Sequence, residues 1–239
     1  MNIYNNNNKN TINQNIYDSF NDFIFSNDKK ILGKLLHRYS FFDKVKSLPG
    51  DIVEVGVFKG SGVATFSKIL HIFVPNSIKK VIGFDIFDPS NAEIVLTSKD
   101  NKNDNSSMKE VYSRISSQDR TYLNVNNNLL NIDSNPNFEL VEGDVEDTLP
   151  TYIEKNPGLR ISLLYIDVDI ERPTYFSLKY LWNRVVPGGI IVFDEYEYHI
   201  FTESSGVDKF LQEFKLEYNL ISTNWFAPTC YIQKNNYFE

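Results

Sequence analysis

The sequence predicts an α/β protein with a mostly parallel sheet of seven strands and helices on both faces. Short apolar segments alternate along the chain with helical patterns, which is typical of βαβ units. One segment, residues 161–166, is very apolar, as expected for a strand buried on both faces. The notable acidic residues fall at the carboxyl ends of these segments, where parallel sheets bind their ligands.

The elements follow in a regular order. A helix is predicted over residues 29–46, where apolar residues recur at helical spacing, namely Ile31, Leu32, Leu35, Leu36 and Tyr39. Strands are predicted at 51–57, 80–84, 138–142, 161–166 and 190–193, with two more within 219–234. Between them, helices are predicted at 60–70, 108–132 (with breaks), 149–155, 174–185 and 206–218. The polar, aperiodic residues 98–107 predict a surface loop.

Length and composition indicate one soluble domain. The 239 residues carry a net charge of −7, which argues against a nucleic-acid partner because phosphate binding needs a basic surface. No apolar run approaches the ~18 residues that span a membrane, and no signal-peptide pattern opens the chain. The single cysteine, Cys230, excludes an internal disulfide. We expect a cytoplasmic protein.

The first 28 residues differ from the rest. Eight of residues 1–15 are Asn, which predicts a partly mobile tail. The aromatic residues after it are suited to a lid over a site, or to a cover packed on the core or on another subunit. Residues 29–239 are expected to form a single domain, and exposed aromatics near both ends favour a homodimer or larger homo-oligomer.

A glycine-rich segment lies between the first predicted strand and its helix. It reads Glu54-Val-Gly56-Val-Phe-Lys-Gly60-Ser-Gly62. Glycines allow a tight turn and close approach of a ligand, and a helix N-terminus offers free N–H groups. The spacing differs from the G-x-G-x-x-G of nicotinamide-binding proteins, so an oxidoreductase is disfavoured. The alternative is that these glycines only allow the tight turn and do not contact a ligand.

Two aspartates follow the next strands along the chain. Asp85 ends the second strand, where an acidic residue can accept hydrogen bonds from ribose hydroxyls. The alternative for Asp85 is an ordinary helix N-cap. Asp144 follows the third strand and Gly143 and is a further candidate for a ligand contact. The alternative for Asp144 is a solvated aspartate in a turn.

Four carboxylates end the fourth and fifth strands: Asp167, Asp169, Asp194 and Glu195. Because these strands lie close together in such a sheet, their carboxylates are expected to converge on one mouth. Like charges oppose each other's ionisation, and carboxylate oxygens suit Mg²⁺ or another hard divalent ion. The cluster predicts a metal site. Solvated loop acids are the alternative.

Four blocks together resemble the macrocin O-methyltransferase (TylF-like) family of class I methyltransferases. They read GDIVEVGVFKG (50–60), GFDIF (83–87), DVDIERPT (167–174), and PGG through DEY (187–196). The similarity spans roughly residues 51–234 and is specific only in combination. It implies a Rossmann-like fold, S-adenosylmethionine (SAM) as cofactor, and methylation of a sugar hydroxyl.

The resemblance also implies roles for individual residues. Contacts with SAM are expected from the glycine segment and the strand ends, namely Glu54, Gly56, Val57, Phe58, Gly60, Ser61, Asp85, Gly143, Asp144 and Asp167. On this interpretation Asp167, Asp194 and Glu195 hold Mg²⁺. Asp167 or Asp169 accepts the proton from the acceptor. His199 is a further candidate general base, because its ordinary pKa lies near neutrality, with a surface or packing histidine as the alternative.

The sequence departs from the family pattern at two positions. Val168 stands where the family usually has glycine, and Glu195 stands where it usually has a second aspartate. Both changes bear on metal use and on the shape of the acceptor pocket. The catechol methyltransferases use a similar metal arrangement with a lysine base, whose position is Ile170 here.

Three functional hypotheses follow. The first is a metal-assisted O-methyltransferase whose acceptor is a sugar or nucleotide sugar. The second keeps SAM and changes the acceptor to a catechol, phenol or amine. The third is a SAM-binding module without turnover, against which the full set of acids at the strand ends argues.

Overall fold

A seven-stranded sheet forms the centre of the molecule in the computed structural model, which describes residues 13–87, 102–114, 116–132 and 137–235. The strands are β1 (Asp51–Val55), β2 (Val81–Asp85), β3 (Phe138–Glu142), β4 (Ile161–Ile166), β5 (Val185–Phe193), β6 (Ile221–Ser222) and β7 (Cys230–Gln233). Their order in the sheet is β3-β2-β1-β4-β5-β7-β6. The predicted number of strands is confirmed.

The sheet is mixed rather than purely parallel. Strands β1 to β5 pair in parallel, and β7 runs antiparallel to both β5 and β6. The chain builds outward from β1 to β3 and then returns to the other side of β1 to form β4. The point where the order reverses therefore lies between β1 and β4, and ligands of α/β sheets bind beyond the strand ends at such a point.

Eight α-helices occur in the described residues. They are α1 (Gln14–Phe25), α2 (Lys30–Val45), α3 (Ser61–Phe73), α4 (Lys102–Ser113), α5 (Tyr122–Leu130), α6 (Val145–Lys155), α7 (Glu171–Leu181) and α8 (Glu203–Glu213). Short 3₁₀ turns cover Ser117–Arg120 and Trp182–Arg184. None of these helices is long and apolar enough to span a bilayer.

Helices cover both faces of the sheet, as predicted. Alternate strand residues point to opposite faces, so one core cluster joins Leu164 to residues of α6, α7 and α8. The other cluster joins Leu163 and Tyr165 to residues of α2, α3 and α5. The strand β4 is buried along its whole length, which confirms the burial expected from its apolar sequence.

Two local predictions need correction. Residues 102–107 belong to α4 rather than to a loop, because Met108 packs on Ile170 and Asp104 is buried. The remainder of that predicted loop, residues 98–101, lies outside the described residues. The segment Pro187–Gly189 lies inside β5 rather than before it, in an irregular stretch where β4 and β5 shift register.

The orientation of α2 also differs from what its apolar pattern suggests. Ile31, Leu35, Leu36 and Tyr39 are exposed. The face that meets the sheet instead carries charged residues at its start and Phe41, Phe42 and Val45 at its end. The reason is electrostatic, since this helix lies over acidic strand ends that need a cation.

The N-terminal segment contributes α1, whose first turn is capped by the side chain of Asn13. No residue of α1 is buried, and Ile16, Phe20 and Phe25 are exposed. Residues 1–12, which include most of the Asn-rich stretch, lie outside the described residues. The lid, the mobile tail, the single-domain boundary at residue 29 and the homo-oligomer stay predictions.

The central strand gives a test of the core. Leu164 is fully buried between Val53 of β1 and Ile191 of β5. Leu164→Ala should lower the free energy of unfolding by about 2–5 kcal/mol, because it removes apolar contacts and leaves a cavity. Urea unfolding followed by circular dichroism measures this. Ile78→Ala, at a side chain that is 98% exposed, should change it by less than about 0.5 kcal/mol. Equal effects of the two substitutions would contradict the assigned core.

Candidate active site

The glycine segment forms a tight turn that joins β1 to α3. Gly56 has a φ of 93°, and a Cβ on it would lie 1.8 Å from the backbone oxygen of Asp167. Gly60, with a φ of 89°, precedes the first residue of α3, Ser61. The absence of a side chain at Gly56 lets the ends of β1 and β4 approach each other. The free N–H groups of α3 point toward the same mouth.

Asp85 fastens this turn to the end of β2. Its Oδ2 accepts a hydrogen bond from the Phe58 N–H (2.8 Å), and its Oδ1 accepts one from the Phe87 N–H (3.0 Å). Burial raises the pKa of Asp85, and these backbone N–H groups oppose the rise. Each oxygen keeps a lone pair. The structure thus gives Asp85 a structural role at the end of β2, and its contact with a ribose stays a prediction.

Asp144 lies at the next strand end and begins α6. Its side chain caps the helix by accepting from the Glu146 N–H (2.9 Å). The guanidinium of Arg172 contacts it as well, with 2.7 Å between Nη2 and Oδ2, and also contacts Glu146. The helix cap and the ion pair show that Asp144 is not merely a solvated turn residue.

The carboxylates at the ends of β4 and β5 converge as predicted. One oxygen each of Asp167, Asp194 and Glu195 lies within 4.8 Å of the others. Asp194 is fully buried, and its Oδ1 accepts a hydrogen bond from the Tyr165 hydroxyl (2.5 Å). Asp169 lies beside them in the left-handed region (φ 64°). Oxygen donors in this arrangement suit a divalent cation.

Lys34 of α2 reaches into the same cluster. Its Nζ donates to Asp167 Oδ2 (2.8 Å) and to Asp194 Oδ2 (2.7 Å). Burial opposes the charge on Lys34, but the two carboxylates outweigh burial and raise its pKa. An ammonium group thus stands between two of the three predicted metal ligands.

Arg38 lies one turn further along α2 and neutralises a second acid. Its Nη2 donates to Glu54 Oε1 at 2.8 Å, and its guanidinium lies over the ring of Tyr165. Both members of this ion pair are buried. A Cβ on Gly62 would collide with the Glu54 carboxylate, so Glu54 lies directly against the first turn of α3.

Asp169 and Glu195, the two remaining carboxylates of the cluster, have more negative than positive charge around them. Burial, followed by the charges of Asp167 and Asp194, raises the pKa of Asp169 to about 8. Burial, followed by the charges of Asp194 and Asp169, raises the pKa of Glu195 to about 9. Crowded carboxylates oppose each other's ionisation in this way, and an additional cation would relieve the conflict.

A cavity of about 370 Å³ opens beside these groups. It is lined by most of the predicted site residues, namely Glu54, Gly56, Val57, Phe58, Ser61, Asp85, Gly143, Asp144, Asp167, Asp169 and Glu195. Its other wall includes Met108 and Tyr112 of α4 together with Phe201. The predicted glycine, ribose and carboxylate positions are therefore brought to one cavity.

Three predicted residues are not among those that line the cavity, namely Gly60, Asp194 and His199. Gly60 lies in the glycine turn and Asp194 in the carboxylate cluster, both beside the cavity. His199 is instead exposed in the turn after β5. The alternative of a surface histidine agrees with this position.

Sequence reasoning missed three residues of the site. Lys34 and Arg38 lie four residues apart on α2, a spacing that puts both on one face of a helix. The apolar residues of the same helix are more regularly spaced and predict a different buried face. Thr202 was also missed. Its N–H donates to the backbone carbonyl oxygen of Asp169, and its hydroxyl donates to the Asp104 carboxylate and accepts from the Glu171 N–H. No short pattern in the sequence marks that junction.

The sheet order and the cavity at the carboxyl ends of the parallel strands are those of a Rossmann-like fold of the methyltransferase type. The family model for Macrocin-O-methyltransferase (TylF) matches residues 40–232. The chain belongs to the macrocin O-methyltransferase (TylF) family and is a SAM-dependent O-methyltransferase. The resemblance found in the sequence is thereby confirmed.

Solved structures agree with the fold. The O-methyltransferase NovP is 22% identical with a TM-score of 0.69, over 84% of this chain and 79% of that one. CalS11, a calicheamicin methyltransferase, is 21% identical with a TM-score of 0.67, over 95% of this chain and 87% of that one. An apo structure of CalS11, there described as a TDP-rhamnose 3′-O-methyltransferase, is 21% identical with a TM-score of 0.64, over 95% of this chain and 88% of that one. A comparison with curated protein sequences finds no match.

The raised pKa of Asp169 predicts a pH dependence of stability. An unfolded aspartate loses its proton near pH ~3.9, whereas the folded protein retains it until about pH 8. The folded state therefore binds more protons between these values, and its stability falls as pH rises through that window. Asp169→Asn, which suits a positive φ, should make the fall between pH 5 and pH 8 shallower.

Urea unfolding at several pH values, with a chelator present, measures this slope. Asp43→Asn, at an exposed position on α2, serves as the control and should keep the slope of the unchanged protein. Identical slopes for the two variants would show that Asp169 does not hold a proton in this range.

Proposed function

We propose that this O-methyltransferase transfers the methyl group of SAM to a hydroxyl of a sugar or sugar-containing small molecule, with assistance from Mg²⁺. The observation that carries the proposal is the convergence of Asp167, Asp194 and Glu195 within 4.8 Å of one another beside the glycine turn. A cofactor site and a hard-cation site would then share one cavity. The proposed site residues are those predicted from the sequence, without His199.

The cavity suits SAM in chemistry and size. Small-molecule sites in proteins measure about 300–1,000 Å³, and this cavity measures about 370 Å³. Gly56 leaves room for close approach, the N-terminus of α3 offers N–H donors, and Asp85 offers acceptors for ribose hydroxyls. Asp144 and Arg172 line the cavity beyond Asp85, which is where we place the adenine.

The carboxylates also suit a divalent cation. The donor set is three carboxylates, as hard cations prefer, and an ammonium already lies between two of them. Replacement of an aspartate by Glu195 keeps an oxygen donor with one more methylene of reach. Magnesium bound here would lower the pKa of a coordinated hydroxyl.

The chain's own residues supply orientation and a proton acceptor. SAM carries its methyl group on a sulfonium, so the protein's task is to align the acceptor oxygen with it. Asp169 lines the cavity next to the cation ligands, and its backbone is fixed by the hydrogen bond from Thr202. We assign the acceptance of the hydroxyl proton to Asp169, because Asp167 is occupied with the cation and the charge of a bound cation would lower the pKa of Asp169, so that its carboxylate is free to take the proton.

The family and the neighbouring structures support a sugar acceptor. CalS11 is described as acting on TDP-rhamnose, and we extend the sugar class, not the compound, to this chain. Met108, Tyr112 and Phe201 give the cavity an apolar wall, which packs on Ile170 next to Asp169. A wall of this kind suits a deoxysugar or a glycosylated aglycone, whose faces are partly apolar.

Cofactor binding is the first test. Titration calorimetry with S-adenosylhomocysteine (SAH) should show micromolar binding by the unchanged protein and at least a tenfold loss with Asp85→Asn, which removes the carboxylate's charge. Asp51→Asn is the matched control, because Asp51 also accepts a backbone N–H (from Lys80, 2.8 Å) but lies at the opposite end of the sheet. A folded protein that fails to bind SAH would overturn the assigned cofactor site.

Metal assistance is tested by turnover. With SAM and a panel of nucleotide deoxysugars, methyl transfer should be lost in EDTA and restored by excess Mg²⁺. Asp194→Asn should lower kcat by at least about a hundredfold while SAH still binds, since Asp194 does not line the cavity itself. Full activity in EDTA would refute the metal's role. Transfer to phenols but not to sugars would replace the proposed acceptor class.

A further inference from the structure

Lys34 occupies the place where the proposed cation would sit. Its Nζ lies 2.8 Å from Asp167 Oδ2 and 2.7 Å from Asp194 Oδ2. We propose that Lys34 is an internal counter-ion that a divalent cation displaces, so that metal binding releases the first half of α2 from the strand ends. This inference rests on the metal site proposed above.

The two cations compete for the same oxygen atoms. Magnesium binds carboxylate oxygens at about 2.0–2.1 Å, whereas the ammonium already donates to the Oδ2 atoms of both aspartates. Two cations within a few ångströms repel each other strongly where burial limits the screening by water. The ligand oxygen of Glu195 lies within 4.8 Å of the two aspartate oxygens, so a metal ion held by all three residues would lie close to the ammonium group. The repulsion between the two cations favours the departure of the ammonium when the metal ion arrives.

Lys34 is free to leave because it lies on the weakly packed half of α2. The second half of the helix is fixed in the core by Phe41, Phe42 and Val45. In the first half, Ile31 is 63% and Leu36 56% exposed. The first half also contacts a surface turn: Trp225 packs against Gly33, and the ring of Phe226 faces Lys30.

Arg38 marks the boundary between the two halves. It keeps its own partner, Glu54, at 2.8 Å, and lies 3.9 Å from Asp167. Its ion pair is buried and does not involve Asp194 or Glu195. Displacement of Lys34 therefore leaves Arg38 in place and frees only the turns before it.

Release of these turns would change the access to the cavity. Lys34 itself lines the cavity, so its withdrawal widens the mouth on the side of the carboxylates. Without metal, the ammonium closes that side and balances the aspartates. With metal, the side opens where the acceptor hydroxyl has to arrive.

The first measurement is titration with Mn²⁺, a probe that replaces Mg²⁺ in oxygen-donor sites, followed by calorimetry. Lys34→Met removes the competing charge and keeps the length of the side chain. It should bind Mn²⁺ at least tenfold more tightly than the unchanged protein. Lys30→Met is the control one turn earlier on α2, where the side chain is exposed, and it should leave the affinity unchanged. Equal or weaker binding by Lys34→Met, or no binding by either protein, would overturn the proposal.

The second measurement uses the unchanged protein and does not depend on how the variant folds. Amide hydrogen exchange in residues 31–36 should become at least threefold faster with saturating Mg²⁺, while residues 41–45 keep their rate. Unchanged or slower exchange in residues 31–36 would overturn the release of α2. SAH titration of the same samples separates failure of this proposal from failure of the proposed function. If SAH still binds but exchange in residues 31–36 does not become faster, the displacement of Lys34 is refuted and the methyltransferase function stands.

Discussion

The arrangement of the site depends on how buried negative charge is balanced at the carboxyl ends of β1, β4 and β5. Glu54, Asp167 and Asp194 end adjacent strands, and the parallel sheet brings them together whatever their charge. Buried carboxylates are costly unless a cation accompanies them. Lys34 and Arg38 supply that cation from one face of α2. This requirement explains why a helix with a good apolar stripe turns its charged face to the core and leaves the stripe outside.

Short-range patterns were enough to predict most of the sheet and much of the site. The strands β1 to β4 are apolar and bounded by turn residues, so their positions could be predicted closely. Glycine spacing indicated the turn after β1, because Gly56 has to tolerate both a positive φ and the nearby backbone of Asp167. The parallel order then implied that Asp167, Asp194 and Glu195 would meet, since strand ends share one edge.

The features that were missed depend on distant parts of the chain. The direction of β7 is set by its pairing with β5, about forty residues earlier in the chain. The helix α4 forms in a polar stretch because Asp104 and Met108 find partners near residues 170 and 202. The inward position of Lys34 results from acids more than a hundred residues away. Periodicity within a window cannot report any of these interactions.

The attachment of α4 has a consequence for how such an enzyme can diversify. Met108 and Ile170, with Tyr112 and Phe201, form a small apolar cluster that is separate from the two core clusters of the sheet. One threonine hydroxyl, that of Thr202, joins this wall to the loop that carries Asp169. Substitutions in α4 can therefore reshape this wall of the cavity while the sheet keeps most of its stability. Evolution or design could exchange the wall as a module and leave the sheet unaltered.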